Sequence, residues 1–163
     1  MKKKLLLLLL LVANTALSAF AINKKPFTIP EVKQWKGAEG ELALSGRIVC
    51  NGAEERQVAQ QLADDYRLMF GTTLSVSQGK AKKGDIVLSL KGAKTLGEEG
   101  YTMTITGQVN IAAANRKGLY WGTRTLLQLA EQNEKHALPC GFISDMPDYP
   151  FRGFMLDCGR KLF

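Results

Sequence analysis

Acid–base chemistry needs carboxylates that can face one another, and the sequence has three adjacent acidic pairs: Glu54-Glu55, Asp64-Asp65 and Glu98-Glu99. Neighbouring positions on a helix point about 100° apart, so an adjacent pair cannot converge on one reacting atom. Asp64-Asp65 lies in a helical stretch and reads as a solvated face. Glu54-Glu55 suits the positive end of a helix dipole. The thiols are Cys50, Cys140 and Cys158, each in an apolar stretch. At most one bridge can form among them, and the sequence does not choose between the three pairings; buried free thiols are equally compatible with such settings. With His136 as the single histidine and no Cys-x-x-Cys spacing, neither a zinc site nor any cofactor is expected. Lys80, Lys82 and Lys83 form a small basic cluster without interleaved aromatics, which reads as a solvated loop and gives no reason to expect a nucleic-acid partner.

The amino terminus has the pattern of an export signal. Lys2, Lys3 and Lys4 precede the apolar run Leu5 to Val12, and Ala19-Phe20-Ala21 supplies the small-x-small cleavage pattern. The apolar run falls short of the roughly 20 residues a bilayer span requires. Residues 1–21 are therefore expected to be removed, leaving no stable membrane span and an exported product, periplasmic or secreted. The formal net charge of +7 then loses three lysines, and the remaining excess is modest and dispersed. The mature chain is long enough for one domain with a real core.

The elements that must position any site can be read from periodicity. Residues 22–40 are expected to be an irregular lead-in, interrupted by Pro26 and Pro30 and loosened by Gly37 and Gly40. From Glu41 to Cys50 apolar and polar residues alternate with period two, which predicts a strand. Asn51 with Glu54 offers a capping box for a helix whose stripe is Val58, Leu62, Tyr66, Met69 and Phe70, stopped by Gly71. Leu74 and Val76 predict a second strand, and Ile86, Leu88 and Leu90 a third. Tyr101 to Thr106 and Val109 to Ala113 read as two strands joined by a two-residue turn at Gly107-Gln108. Asn115 caps a second helix running to about Gln132, with Leu119, Gly122, Leu126 and Leu129 inward. Gly118 and Gly122 cost such a helix about 1 kcal/mol each relative to Ala, which points to close packing on the sheet. A short apolar run extends from Pro139 to Ile143. The fold class predicted is α+β, a mainly antiparallel sheet with two helices on one face.

Two segments resemble a known family. Gly118-Leu119-Tyr120-Trp121-Gly122-Thr123-Arg124-Thr125-Leu126-Leu127-Gln128-Leu129 resembles the helix that closes the small N-terminal domain of family-20 glycoside hydrolases. Phe151-Arg152-Gly153-Phe154-Met155-Leu156-Asp157-Cys158-Gly159-Arg160 is similar to the start of that family's catalytic barrel, where Arg-Gly is followed by Leu-Asp-x-x-Arg. A related hexosaminidase family continues with Glu-Gly-Phe-Tyr-Gly instead, and the sequence follows the first pattern. Gly159 stands where the family often has Ala or Ser. After the signal peptide over 1–21, the resemblance implies a small α+β domain over 22–147, and over 148–163 the start of a (β/α)8 barrel, truncated after its first strand (Phe151 to Asp157).

The function implied is that of an exported β-N-acetylhexosaminidase, removing terminal N-acetylglucosamine or N-acetylgalactosamine from glycans. In the family, the Arg at the position of Arg160 holds hydroxyls of the terminal sugar, a task suited to a fixed, permanently charged guanidinium fork. Asp157 is expected to support the site by orienting Arg160 or the strand end, and Arg152 to link the strand to the small domain. None of the three acidic pairs matches the family's catalytic Asp-Glu pair. No catalytic residue is assigned within the 163 residues, and the fragment by itself is expected to be inactive. The competing reading is a non-catalytic exported module that binds glycan or a protein partner. Trp35 and Trp121 are far apart in sequence and suggest no aromatic platform for it.

Overall fold

The computed structural model describes residues 21–156 and Gly159. Seven strands form one sheet in the order β1-β7-β5-β6-β4-β2-β3. The strands are β1 (Gln34–Leu42), β2 (Arg47–Val49), β3 (Ser75–Ser77), β4 (Ile86–Ser89), β5 (Tyr101–Ile105), β6 (Val109–Ala113) and β7 (Leu138–Asp145), with helices α1 (Ala53–Phe70) and α2 (Arg116–Glu131).

The segment expected to be an irregular lead-in contains most of the edge strand β1. Its glycines permit strand structure here rather than loosening it. A Cβ on Gly37 would lie 2.0 Å from the carbonyl oxygen of Asn23, so only glycine lets the N-terminal residues cross the strand at that point. Gly40 takes φ +80°, within the register shift between Gly37 and Glu41 that marks a bulge in the pairing with β7. The single strand expected over 41–50 is two strands. Its first residues finish β1, the chain turns at Gly46 (φ 81°), and β2 emerges at the opposite side of the sheet beside β3 and β4. A period of two survives this change of neighbours, which is why the break is invisible in the pattern.

Half of the strand pairings among the described residues are parallel: β2 with β3, β2 with β4, and β4 with β6. The sheet is therefore mixed rather than mainly antiparallel. Successive strands that run the same way need a long crossover, and each helix supplies one. Helix α1 joins β2 to β3. Helix α2 joins β6 to β7, which run the same way because both pair antiparallel with β5. Helix α1 lies on β2, β3 and β4, α2 lies on β5, β6 and β7, and the helices touch each other. Ile48, Ile86, Met103, Ile111, Leu126 and Ile143 are fully buried between the two layers.

Helix α1 begins after Gly52, not Asn51. The Asn51 side chain accepts instead from the amide of Gly79, 3.2 Å away, and Glu55 folds over Gly52 and accepts from the amide of Leu90. Helix α1 buries Val58, Ala59, Leu62, Ala63 and Tyr66, while Met69 lies outside this stripe and is exposed. Gly71 closes it in the left-handed conformation, donating to the Arg67 carbonyl at 2.9 Å. Helix α2 is capped by Asn115, whose side chain accepts from the amide of Lys117 at 3.1 Å. The β5–β6 connection is one residue longer than expected: Ile105 pairs with Val109, and the Thr106 amide donates to the Gln108 carbonyl across Gly107. Among the described residues no helix is long and apolar enough to cross a membrane.

Asp85 is the one buried acid among the described residues. It pairs with Arg47, accepts from Ser45 Oγ at 2.7 Å and from the Lys82 amide at 2.6 Å. These donors, Arg47 first, hold its carboxyl down at about 2.

This packing has two measurable consequences. A Cβ at Gly118 would lie 2.2 Å from the carbonyl oxygen of Gly100, a backbone atom that cannot step aside. Gly118→Ala is expected to lose roughly 1–3 kcal/mol in urea denaturation, where an exposed helical glycine would gain about 1. Because the folded pKa of Asp85 lies below its unfolded value, its contribution is complete above pH 4 and is lost as pH falls toward 2. Stability should fall by roughly 2 kcal/mol across that window. Asp85→Asn should remove this step and destabilise the protein at pH 7, measured by acid titration of the unfolding midpoint.

Candidate functional site: the junction beneath helix α2

One turn of α2 after Gly122, Thr125 lies above the start of β5. Its hydroxyl is 2.6 Å from the hydroxyl of Tyr101, and Tyr101 donates to Asp145 Oδ2 at 3.3 Å. With the phenolic proton directed to Asp145, Thr125 is the donor to Tyr101. Tyr101 and Asp145 are opposite one another in the β5–β7 register. Burial pushes the Tyr101 phenol well above its ordinary value, so it remains a neutral donor. The other oxygen of Asp145 accepts from the Lys33 amide at 3.1 Å.

The segment before β1 is strapped along the same helix. The Gln128 side-chain amide both accepts from the Ile29 amide (2.7 Å) and donates to the Ile29 carbonyl (3.1 Å), as a neighbouring strand would. Gln132 donates to the carbonyl of Phe27 at 2.9 Å. Arg124, next to Thr125, stacks 4.6 Å over the Tyr120 ring and pairs with Asp65 on α1.

These elements surround a cleft of about 350 Å³ whose lining includes Pro30, Tyr101, Trp121, Arg124, Met146 and Arg152. The chain crosses it after β7. Lys33 pairs with Asp148 at 2.6 Å, and Arg152 pairs with Glu99 and donates to the Tyr149 carbonyl at 2.6 Å. Arg152 thus links the segment to the small domain, as expected. Residues 151–156 form no strand, contrary to the strand expected from Phe151. A barrel strand takes its hydrogen bonds from neighbouring strands, and the described residues put none beside this one. Phe151, Phe154, Met155 and Leu156 are exposed, Phe154 and Met155 at 89%. The sugar-contacting candidate Arg160, its supporting candidate Asp157, and Cys158 lie outside the described residues.

Two of the three acidic pairs are divided among separate partners rather than facing each other. Asp64 accepts from Gln60 while Asp65 pairs with Arg124. Glu98 pairs with Lys117 while Glu99 pairs with Arg152. His136 stacks 4.3 Å from Phe70, with Nδ1 2.9 Å from the Ala130 carbonyl, a structural role. Cys50 and Cys140 are buried free thiols, and burial raises both above their ordinary value, so they are poor nucleophiles. Among the described residues no cluster of potential metal ligands forms. Glu99 stands out only as half of an acidic pair, and nothing in the sequence joins Thr125, Tyr101 and Asp145 into one chain. Tyr101 has only a strand signal, and nothing in a linear pattern pairs it with residues on another helix and strand.

Comparison with known proteins gives this geometry its context. Residues 25–146 match the model described as glycosyl hydrolase family 20, domain 2. A β-hexosaminidase of Porphyromonas gingivalis is 33% identical over 123 residues, covering 69% of this chain and 16% of the relative. One from Akkermansia muciniphila is 39% identical over 77 residues, covering 45% of this chain and likewise 16% of the relative. The chain thus matches about a sixth of the length of these relatives. Among solved structures, the β-N-acetylhexosaminidase of Streptomyces coelicolor superposes with TM-score 0.70 at 29% identity, over 82% of this chain and 29% of that one. From the matched domain, which ends where the cleft-crossing segment begins, the chain belongs to glycosyl hydrolase family 20.

Proposed function

We propose that the chain is the N-terminal part of an exported β-N-acetylhexosaminidase that removes terminal N-acetylhexosamine from glycans. The observation that carries this reading is the order of two features: the family-20 domain over 25–146, then Arg152-Gly153 and Leu156-Asp157-x-x-Arg160. In this reading residues 1–21 direct export, and the small domain presents the start of the catalytic barrel. Arg160 enters the sugar site at the carboxyl end of the first barrel strand, where barrel active sites form. Its planar fork donates to neighbouring hydroxyls of the terminal ring, and Asp157 orients it.

The chemistry is substrate-assisted, the family's departure from the two-carboxylate scheme. The acetamido oxygen of the substrate attacks the anomeric carbon as the leaving oxygen takes a proton from a Glu. The resulting oxazolinium is opened by water, whose proton returns to the same Glu, with retained configuration. A preceding Asp orients the acetamido group. No acidic pair of the 163 residues matches that Asp-Glu pair, so the hydrolytic groups belong to a barrel of roughly 250 residues.

The test is release of 4-nitrophenol from 4-nitrophenyl N-acetyl-β-glucosaminide. The 163-residue chain should give none above background. A gene product that continues through the barrel should hydrolyse it, and Arg160→Ala in that protein should lower kcat/KM by about 100-fold or more. Hydrolysis by the 163-residue chain alone, or an Arg160→Ala protein with full kcat/KM, would contradict the proposal. Saturable glycan binding by the short chain, with no hydrolysis by the longer one, would favour a non-catalytic binding module.

A further inference from the structure

Glu99 occupies an unusually well-fixed position for a loop carboxylate. The preceding residue is held on the first turn of α2, since the Gly118 amide donates to the Glu98 carbonyl at 3.2 Å and Lys117 pairs with the Glu98 side chain at 3.0 Å. The next residue, Gly100, is pressed against Gly118. Tyr101 then enters β5 with its hydroxyl in the Thr125–Asp145 chain. Between these anchors Glu99 has little freedom, and its side chain is 21% exposed. It lines the cleft and pairs with Arg152.

We propose that Glu99 is a positioning residue, one that clamps the barrel-leading segment to the small domain through Arg152 and so sets where Arg160 enters the sugar site. The clamp rests on the hydrolase reading above for its consequence, but not for its existence. Three observations support it. The pair joins a half-exposed group of the segment to a more enclosed one of the domain, Arg152 at 45% and Glu99 at 21% side-chain exposure. The segment has one further tie on the same side, Lys33 to Asp148, and within the segment Arg152 also donates to the Tyr149 carbonyl; with Glu99 they fix direction as well as place. Beyond Arg152 the apolar residues Phe154, Met155 and Leu156 are exposed. Among the described residues, the Glu99–Arg152 pair is thus the last ion pair between segment and sheet before the motif that ends in Arg160.

The clamp is tested on the chain as it stands. Amide heteronuclear NOE values for residues 151–156 should be higher in the parent than in Glu99→Gln. Equal values in parent and Glu99→Gln would overturn the clamp. Should Glu99→Gln lose its dispersed amide signals, Arg152→Gln, which alters only the segment, decides by the same measurement. Its consequence is tested in the hydrolytic gene product continuing through the barrel. A displaced Arg160 loses contacts made equally in ground and transition states, so Glu99→Gln should raise KM about five- to tenfold with kcat within about twofold. The double reversal Glu99→Arg with Arg152→Glu should recover most of this. Unchanged KM in a folded Glu99→Gln enzyme would overturn the positioning role, since a merely structural role would lower the melting temperature alone. If the longer product hydrolyses nothing, the hydrolase reading and the positioning role both fall, and the NOE comparison still decides the clamp.

Discussion

The close seating of helix α2 on the sheet governs the arrangement of the junction. Gly118 meets the backbone of Gly100, and Gly122 meets Ile111 and the Tyr101 ring, with spaces too small for a Cβ. Two glycines within a helix would be a pure loss of about 1 kcal/mol each if the helix stood alone. Here they let the helix axis approach until Thr125 reaches the Tyr101 hydroxyl. The other ties depend on the same depth: Gln128 and Gln132 reach the segment before β1, and Arg124 reaches Asp65 on α1. A helix standing off by the width of a methyl group would put Thr125 out of reach of the Tyr101 hydroxyl, which would keep only its bond to Asp145.

The sheet imposes a second constraint. Two helices serve as crossovers for parallel strands, and between them the antiparallel β5 is inserted next to β7. This insertion brings Tyr101 opposite Asp145, and so brings the end of the domain back to the start of β5. The same topology places the loop before β5, with Glu99, beside the segment leaving β7. The cleft is thus a product of strand order: it forms where β5 begins, where β7 ends and where α2 passes over both.

Much of this was legible in the sequence, and what was not has physical reasons. Helix α2, its Asn115 cap and its close packing could be read from local signals, because a cap and a glycine pair act within a few residues. The β5 and β6 strands were visible through alternating Thr and apolar residues. Parallel pairing was not, because alternation reports which face is buried and says nothing of a neighbour's direction. Strand β1 was hidden by Gly37 and Gly40, which look like breakers until Asn23 is seen to cross the one and the bulge to surround the other. Asn51 looked like a cap, yet Gly79 takes its side chain. In the same way Arg152 could be assigned a linking role from its motif, whereas Glu99, 53 residues earlier, stood out as half of an acidic pair with no sign of its partner.

The division of labour in the molecule depends on how its charged groups are spent. Asp85 is neutralised by Arg47 within the fold, Asp65 by Arg124, Glu98 by Lys117 and Glu99 by Arg152. A catalytic carboxylate needs the opposite arrangement, a pKa raised by burial or a like charge so that it can give up a proton near neutral pH. Asp85, the buried acid, is held far below that range. The thiols of Cys50 and Cys140 are raised away from reactivity, and the buried Tyr101 is locked in its neutral form. The described residues therefore use their polar groups to fix distances: helix to sheet, leading segment to helix, and departing segment to the loop before β5. In the proposed enzyme, these ties at the cleft would set how the segment leaving the small domain is held.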